Sequence, residues 1–401
     1  MRPAAPIRLA VLGSTGSVGQ QALDVVRALP GRFRVVALAA GGRTGLLREQ
    51  IAEFQPLVAW ARPGYESSLL SRELGTGRWQ PLEDMAMRPD VDVVLVATSG
   101  IAGLAPTLAA LEAGKPVALA NKEVLAVGGP IVRATLEAHA RRGAELRPVD
   151  SEHSAIWQCL WGERPESIDT LTLTASGGAF RDYDTEALDR VTPEQALAHP
   201  TWRMGPKVTI DSATLFNKGL EAIEARWLFD IPIDRIQVLQ HRESVVHSLV
   251  TFVDGSVKAQ LGEPDMRLPI QCALTYPERA ASQPAPALNL ARRGSLTFEA
   301  VDRLRFPALG TALEAARRGD TAVAALSGAD DAAVEHFLAG RCRFTDIARA
   351  LARALEASRP SPPRPSPPRP TAPSSAPRSM TCSPPSAGAA SSWTRQSRHT
   401  R

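Results

Sequence analysis

LGSTGSVGQ, Leu12 to Gln20, follows the apolar run Ile7 to Leu12 and leads into a stretch where Val18, Ala22, Val25, Val26 and Leu29 share one helical face. A strand, a glycine-rich turn and a helix in that order open a parallel α/β sheet. The glycines at Gly13, Gly16 and Gly19 let the chain turn tightly, admit a pyrophosphate close to the backbone, and present amides at a helix N-terminus whose dipole favours anions. Their GxxGxxG spacing is a variant of the usual dinucleotide fingerprint. An ordinary glycine-rich turn would look the same in isolation; the strand, turn and helix around it favour a nucleotide.

The pattern repeats outward from there. Short β-rich runs at Ile7 to Leu12, Arg34 to Ala39, Leu57 to Ala61, Val93 to Val96, Val117 to Ala120 and Ala144 to Val149 alternate with helical stretches, which reads as βαβ units over residues 1–150. After Asp150 the texture changes. Leu171 to Ala175, Ile236 to Leu239, Ser248 to Phe252 and Val257 to Leu261 look like strands of a second sheet, the last two joined by a turn at Asp254 and Gly255. An α+β domain is expected over 151–276, a Pro- and Ala-rich linker over 277–300, and a small helical domain over 301–357. From Ser358 the composition breaks: eleven prolines fall between Pro360 and Pro385, so 358–401 is expected to be a disordered tail.

Composition narrows the class. At 401 residues, 44% hydrophobic and 22% charged, the chain can bury the cores of two or three domains, which excludes disorder throughout and a fibre. The net charge of +4 comes from the tail: residues 359–401 carry seven Arg and no Asp or Glu, which leaves the remainder at −3. A basic groove for nucleic acid is therefore not expected, and any anion site must be local. The four cysteines (Cys159, Cys272, Cys342, Cys382) form no CxxC pair, which argues against a disulfide framework or zinc ribbon and fits a reducing compartment. Only Met1 to Pro6 precede the first apolar run, too few for a signal peptide, and no apolar stretch approaches the ~20 residues that cross a bilayer. A cytoplasmic protein with no membrane partner is expected.

The second strand runs out into Ala39, Ala40, Gly41, Gly42 and Arg43, where an NAD-binding chain would place an Asp or Glu on the ribose hydroxyls. With no carboxylate there and Arg43 available to a 2′-phosphate, NADPH is expected over NADH; a solvated loop arginine is the alternative. LANKEVL, Leu119 to Leu125, brings an amide, a cation and a carboxylate (Asn121, Lys122, Glu123) to the carboxyl edge of the sheet, although a polar helix start reads the same way.

PVDSEHSAIWQ, Pro148 to Gln158, puts Asp150 and Glu152 two apart after a strand. If the chain stays extended, both carboxylates project to one side, a suitable pair for a hard divalent ion; a helix cap by Asp150 or Ser151 competes. In Ile210 to Phe229, Asn217 and Glu221 are i and i+4, and Lys218 and Glu221 are i and i+3, so one helix face carries an amide, an ammonium and an acid. A surface ion pair would explain Lys218 and Glu221, but Ser212 and Asn217 add anion-directed donors nearby. Glu221 would then complete a three-carboxylate set suited to Mg²⁺ or Mn²⁺. Between SGGAFR, Ser176 to Arg181, and HPTWRMG, His199 to Gly205, a long polar segment with glycines at its start and an aromatic at its end looks like a lid; Trp202 as a packed anchor is the alternative.

Taken in order, LGSTGSVG, LANKE, PVDSEH, SGG, HPTWRMG, DSATLFNKGLE and LGEPDMR resemble the motifs of the 1-deoxy-D-xylulose 5-phosphate reductoisomerase family, from about Ile7 to Ala357. The resemblance implies a homodimeric, NADPH-dependent enzyme that uses a divalent cation (Mn²⁺, Mg²⁺ or Co²⁺). It would convert that ketose phosphate to 2-C-methyl-D-erythritol 4-phosphate in non-mevalonate isoprenoid synthesis. It also implies an α/β architecture: a Rossmann-like N-terminal domain, a central α+β catalytic domain and a small C-terminal helical domain. By motif, Asp150, Glu152 and Glu221 are the implied metal ligands, with Lys122, Glu152 and His247 at the reacting centre. Substrate contacts are implied for Ser151, Ser176, His199, Trp202, Ser212, Asn217, Lys218 and Glu221, with Trp202 and Met204 in the lid. Cofactor contacts are implied for Ser14, Thr15, Gly16, Ser17, Val18, Gly41, Gly42, Arg43, Asn121, Lys122, Glu123 and Gly205.

Two departures stand out. The family usually shows HPQS where this chain has His241, Arg242, Glu243 and Ser244. Family members also continue into a folded helical end after the stretch ending at Ala357, where Pro, Ser and Arg take over here, the pattern of a shifted reading frame in a GC-rich gene. The helical domain is therefore expected to be incomplete. Two rival functions follow: a metal-dependent sugar-phosphate isomerase or aldolase without NADPH, or an NADPH-binding protein left inactive by the aberrant tail.

Overall fold

The structure, a computed structural model, describes residues 5–202, 204–282, 285–319 and 321–358. The Pro-rich stretch 359–401, on which the tail expectation falls, lies outside the described residues.

Six strands, β1 (Ile7–Leu12), β2 (Phe33–Ala40), β3 (Val58–Ala61), β4 (Val93–Val96), β5 (Pro116–Leu119) and β6 (Glu145–Pro148), form one sheet in the order β3-β2-β1-β4-β5-β6. Every pairing is parallel. Side chains alternate between its two faces: Leu9 and Val11 of β1 enter one core cluster, Ala10 and Leu12 another. Both faces are covered by helices, which is why the strands read as continuous apolar runs. The order reverses at β1, flanked by β2 and β4, and a doubly wound sheet opens a crevice at the carboxyl ends of its strands at such a point.

The second sheet contains β7 (Ile168–Ala175), β8 (Ile236–Gln240), β9 (Val246–Phe252), β10 (Val257–Leu261) and β11 (Glu299–Ala300), in the order β10-β9-β7-β8-β11. Only β7 and β8 are parallel. The hairpin turn forms as expected, with Gly255 at φ +83° and the Ser256 amide donating to Asp254 Oδ1 at 2.9 Å. The stretch expected to link onward holds a short helix, Leu290–Arg293, and the edge strand β11.

Three helices follow, Pro307–Arg318, Ala322–Leu338 and Phe344–Ala357. In the last, Phe344, Ile347, Leu351 and Leu355 make one buried stripe. This layer buries its apolar face in the same core as Leu171 and Leu173 of β7 and Leu220 and Ile223 of the helix Phe216–Phe229. The helix Arg267–Thr275 returns from the second sheet to the first, placing Ile270, Ala273 and Leu274 in a core beside Val25 and Val26. No helix among the described residues is long and apolar enough to cross a membrane.

Candidate active site

A cleft of about 1110 Å³ opens at the carboxyl ends of the parallel strands and runs across to the second sheet. Its near wall is the turn after β1. Gly13 takes φ +98°, and a Cβ there would lie 2.3 Å from the Ala97 carbonyl oxygen, so no other residue fits this approach of the β1 and β4 ends. Thr15 and Gly16 face the cleft from the glycine turn, and Ser17 and Val18 from the first turn of the helix Ser17–Ala28, a turn without an acidic side chain. Its free amides suit a pyrophosphate. Ser14 does not face the cleft: it is fully buried, its hydroxyl donates to Gln50 Oε1 at 2.7 Å, and Gln50 Nε2 returns a bond to the Ser14 carbonyl at 3.0 Å.

Gly41, Gly42 and Arg43 line the cleft beyond β2 with no carboxylate among them. A second cation that the sequence reading missed, Arg62, lines the same corner from the end of β3, and its Nη2 would lie 3.5 Å from a Cβ placed on Gly42. Neither guanidinium has an ion-pair partner among the described residues. The signal was available, since Arg62 directly follows the next parallel strand at its carboxyl end.

Asn121 caps the helix Lys122–His139: its Oδ1 accepts from the Val124 amide at 3.2 Å, while Nδ2 donates to the Thr98 and Gly100 carbonyls at 2.8 and 2.7 Å. The amide lines the cleft but is occupied by this capping. Glu123 lines it in the helix's first turn. The helix packs on Phe216–Phe229, which brings Lys122 Nζ to 2.9 Å from Asn217 Oδ1.

The three carboxylates meet. Asp150, Glu152 and Glu221 offer oxygens within 4.8 Å of one another. The extended geometry expected for Asp150 and Glu152 is not what places them there. Asp150 is the N-cap of the helix Ser151–Cys159 and Glu152 lies in its first turn, so the chain is already coiling. Asp150 makes no side-chain cap bond and turns instead to Lys122 Nζ at 2.7 Å. Ser151 donates to Glu152 Oε2. Lys218 Nζ bridges Glu152 Oε1 at 2.6 Å and Glu221 Oε2 at 2.5 Å, and Lys122 reaches Glu221 Oε1 at 3.1 Å. With Lys218 5% and Glu221 2% exposed, the surface ion-pair reading fails.

Burial works against charge on every group here, so the neighbours decide. The Asp150 carboxyl, which burial would raise, is held below the usual range by Lys122 and His153. Burial would lower the Lys122 ammonium, yet Asp150, Glu221 and Glu224 hold it well above its ordinary value. Lys218 is likewise raised, against burial, by Glu152 and Glu221. Glu221 stays above the carboxylate range because burial and the Glu152 charge outweigh both lysines. Three carboxylates against two ammoniums leave a negative excess of hard oxygen donors, which fits a divalent cation of the Mg²⁺ or Mn²⁺ kind. A second triple, Asp150, His153 and Glu224, lies within the same reach. His153 and Glu224 are at most 1% exposed and do not line the cleft; His153 Nε2 instead holds the Glu221 carbonyl at 2.8 Å. Of the two, only the first triple lines the cleft with all three of its members.

The anion-directed wall is assembled by a close approach. Gly178, at φ +70°, lies so near the helix Pro206–Thr214 that a Cβ would fall 2.6 Å from the Ser212 carbonyl oxygen, which sets the turn bearing Ser176 beside Ser212. Ser176, Ser212, Asn217 and Lys218 all line the cleft. His199 does not: its Nδ1 accepts the Thr201 and Trp202 amides at 3.1 and 2.9 Å, which leaves the proton on Nε2, 3.1 Å from Ser176 Oγ. Burial, with Arg181 nearby, lowers His199 to about 4, so it is a neutral support for the serine.

The long segment before it is not a loose lid. Leu188, Val191 and Ala196 are buried in the core, and only the last few residues through Trp202, Met204 and Gly205 face the cleft. Trp202 lies over His247, ring centroids 6.4 Å apart. His247 is lowered to about 4 by burial and by Lys218. The altered loop before it is still organised: His241 Nε2 accepts the Val245 and Val246 amides at 3.2 and 3.1 Å, and Arg242 pairs with Asp182 at 2.6 Å.

Comparison with known proteins agrees with this geometry. Residues 9–129 match the family model described as 1-deoxy-D-xylulose 5-phosphate reductoisomerase, and residues 146–229 and 261–379 match models of C-terminal domains of the same enzyme. The chain is 54% identical to the 1-deoxy-D-xylulose 5-phosphate reductoisomerase of Thermus thermophilus, over 88% of this chain and 94% of that one. It is 52% identical to that of Thermomicrobium roseum, over 88% and 91%. A crystal structure of DOX-P reductoisomerase in complex with NADPH, fosmidomycin and magnesium superposes with a TM-score of 0.82 at 42% identity, covering 88% of this chain and 89% of that one. The enzyme from Zymomonas mobilis in complex with NADPH gives 0.81 at 37%, covering 89% and 93%. Matched at this identity along nearly nine-tenths of its length, the chain belongs to the 1-deoxy-D-xylulose 5-phosphate reductoisomerase family.

Proposed function

We propose that this chain converts 1-deoxy-D-xylulose 5-phosphate to 2-C-methyl-D-erythritol 4-phosphate, using NADPH and a divalent cation, in non-mevalonate isoprenoid precursor synthesis. The observation that carries the reading is one continuous cleft holding the glycine turn at one end and the Asp150, Glu152, Glu221 cluster at the other. An isomerase without NADPH has no use for the first end. When bound, NADPH supplies the hydride, and the cation, held by Asp150, Glu152 and Glu221, supplies Lewis acidity toward the substrate's oxygens.

The remaining work belongs to the chain's own residues. Thr15, Ser17 and Val18 receive the pyrophosphate on backbone amides beside Gly16, whose own amide donates to the Gly13 carbonyl at 2.9 Å, and Arg43 at Gly41 and Gly42 meets the 2′-phosphate. Lys218, Asn217, Ser212 and Ser176 donate to the sugar's phosphate, with His199 holding Ser176 in place. Lys122 stands between Asp150 and Asn217, within reach of substrate hydroxyls. His247, neutral at physiological pH, donates or accepts at the reacting carbons without adding charge. Trp202 and Met204 close over them and exclude water. Phosphate binding away from the reacting carbons supplies energy for that closure.

The same reading divides the chain into a cofactor domain over 1–150, a catalytic domain over 151–276, a linker over 277–300 and a helical domain over 301–357. It includes a homodimer, supported by the unpaired edge of β10, where Val257 is 53% and the adjoining Val253 69% exposed. A cytoplasmic setting is supported by the free cysteines Cys159, Cys272 and Cys342, and the negative charge of residues 1–358 speaks against a nucleic-acid partner. The test is NADPH oxidation by the purified protein. Turnover is expected only when the ketose phosphate and Mn²⁺ are both present; full activity in excess EDTA would overturn the metal requirement.

A further inference from the structure

Beside the cleft lies a buried cluster of charges that the chemistry above leaves unused. Lys207 Nζ is 2.6 Å from Asp211 Oδ2 on its own helix, Pro206–Thr214, and 2.7 Å from Asp330 Oδ2 on the helix Ala322–Leu338. Asp211 is 2% and Asp330 0% exposed; Asp331 meets Lys207 from the rim at 3.5 Å. Asp211 Oδ1 and the Asp330 oxygens accept no hydrogen bond beyond this ammonium contact among the described residues. Two carboxylates facing one ammonium leave a charge over. Burial and the Asp330 charge hold Asp211 well above its ordinary value, and burial raises Asp330 as well.

Such a cluster contributes little net stability, because desolvating its members offsets much of their attraction. What it supplies is register. Apolar side chains hold two helices together while tolerating small slides, whereas a directional contact between one ammonium and two carboxyl groups fixes their alignment. Its placement matters for the site: Asp211 adjoins Ser212 and itself lines the cleft, while Asp330 belongs to the C-terminal helical layer.

We propose that Asp211 and Asp330, bridged by Lys207, are positioning residues that lock the helix presenting Ser212 to the C-terminal helical layer, so that this layer sets the affinity of the phosphate-binding wall. The proposal rests on the reading of Ser212 as a phosphate donor, and the experiment separates the two.

Steady-state constants are measured for Asp330→Leu, Asp330→Asn, Lys207→Met and Ser212→Ala, with melting temperatures alongside. Asp330→Leu and Lys207→Met should each raise KM for the sugar phosphate by about 5- to 10-fold while leaving KM for NADPH within about twofold, since a small misplacement of a donor weakens only the ligand it serves. Asp330→Asn keeps an acceptor for Lys207 and should restore KM to within about twofold of the parent. Lys207 is partly exposed, so Lys207→Met and Asp330→Asn decide the matter if Asp330→Leu does not fold. A lower melting temperature with an unchanged KM for the sugar phosphate, or equal rises in both KM values, would overturn the proposal. An unchanged KM in Ser212→Ala would instead sink the phosphate-wall reading, and this proposal with it.

Discussion

Glu221→Gln will lower kcat by a factor on the order of 10² or more at saturating Mn²⁺, the largest effect expected from a single uncharged replacement in this chain. Glu221 is the centre of the charge cluster: one oxygen meets Lys122 and Asn217, the other Lys218, and its backbone carbonyl is held by His153. Glutamine keeps the shape and the contact to Asn217 while removing the anion that a divalent cation needs. Metal affinity should fall by at least about 10-fold in the same variant, since even groups that only support a ligand are worth about 10- to 100-fold. A titration of kcat against Mn²⁺ reads both quantities, and a near-normal plateau would remove Glu221 from the ligand set.

Lys218→Ala should act in opposite directions on two ligands. Loss of a charge-assisted bond to phosphate should raise KM for the sugar phosphate by about 10- to 100-fold. Yet the variant leaves Glu152 and Glu221 facing one another without the ammonium that bridges them, so divalent-cation affinity should hold or rise. Unpairing buried carboxylates costs about 3 kcal/mol or more, so the metal-free protein should melt lower, and added Mn²⁺ should recover more of the loss than it adds to the parent. If Mn²⁺ binding weakens together with substrate binding, the separation of phosphate cation from metal ligands is wrong.

What was legible in the sequence was local. The glycine turn after β1, the absence of a carboxylate beyond β2, and the i, i+3 and i+4 spacing of Asn217, Lys218 and Glu221 all depend on residues close along the chain, where periodicity fixes which side chains share a face. The extended geometry that would bring Asp150 and Glu152 together gives way to the competing helix start: they converge because a capping residue and a first-turn residue both sit at the same helix end. Asn121 and Ser14 show the limit more sharply. Each looks like a ligand-facing polar side chain, but Asn121 is occupied by Thr98 and Gly100 across the sheet edge, and Ser14 by Gln50, 36 residues away.

The long segment after Ser176 resembled a lid because its composition is polar, yet three scattered apolar residues, Leu188, Val191 and Ala196, suffice to pin it into the core. Such pinning depends on what the segment packs against, which periodicity over so short a run does not reveal. The contact of Lys207 and Asp211 with Asp330, more than a hundred residues on, likewise comes from helix packing alone.

The central claim, that Asp150, Glu152 and Glu221 form the metal centre at the substrate end of the cleft, is tested most directly by anomalous diffraction from crystals of the full chain soaked in Mn²⁺. One strong peak is predicted among the three carboxylates, about 2.0 to 2.2 Å from an oxygen of each, with the Lys218 bridge between Glu152 and Glu221 opened. A peak on Asp150, His153 and Glu224, or no peak with both lysine contacts intact, would contradict it.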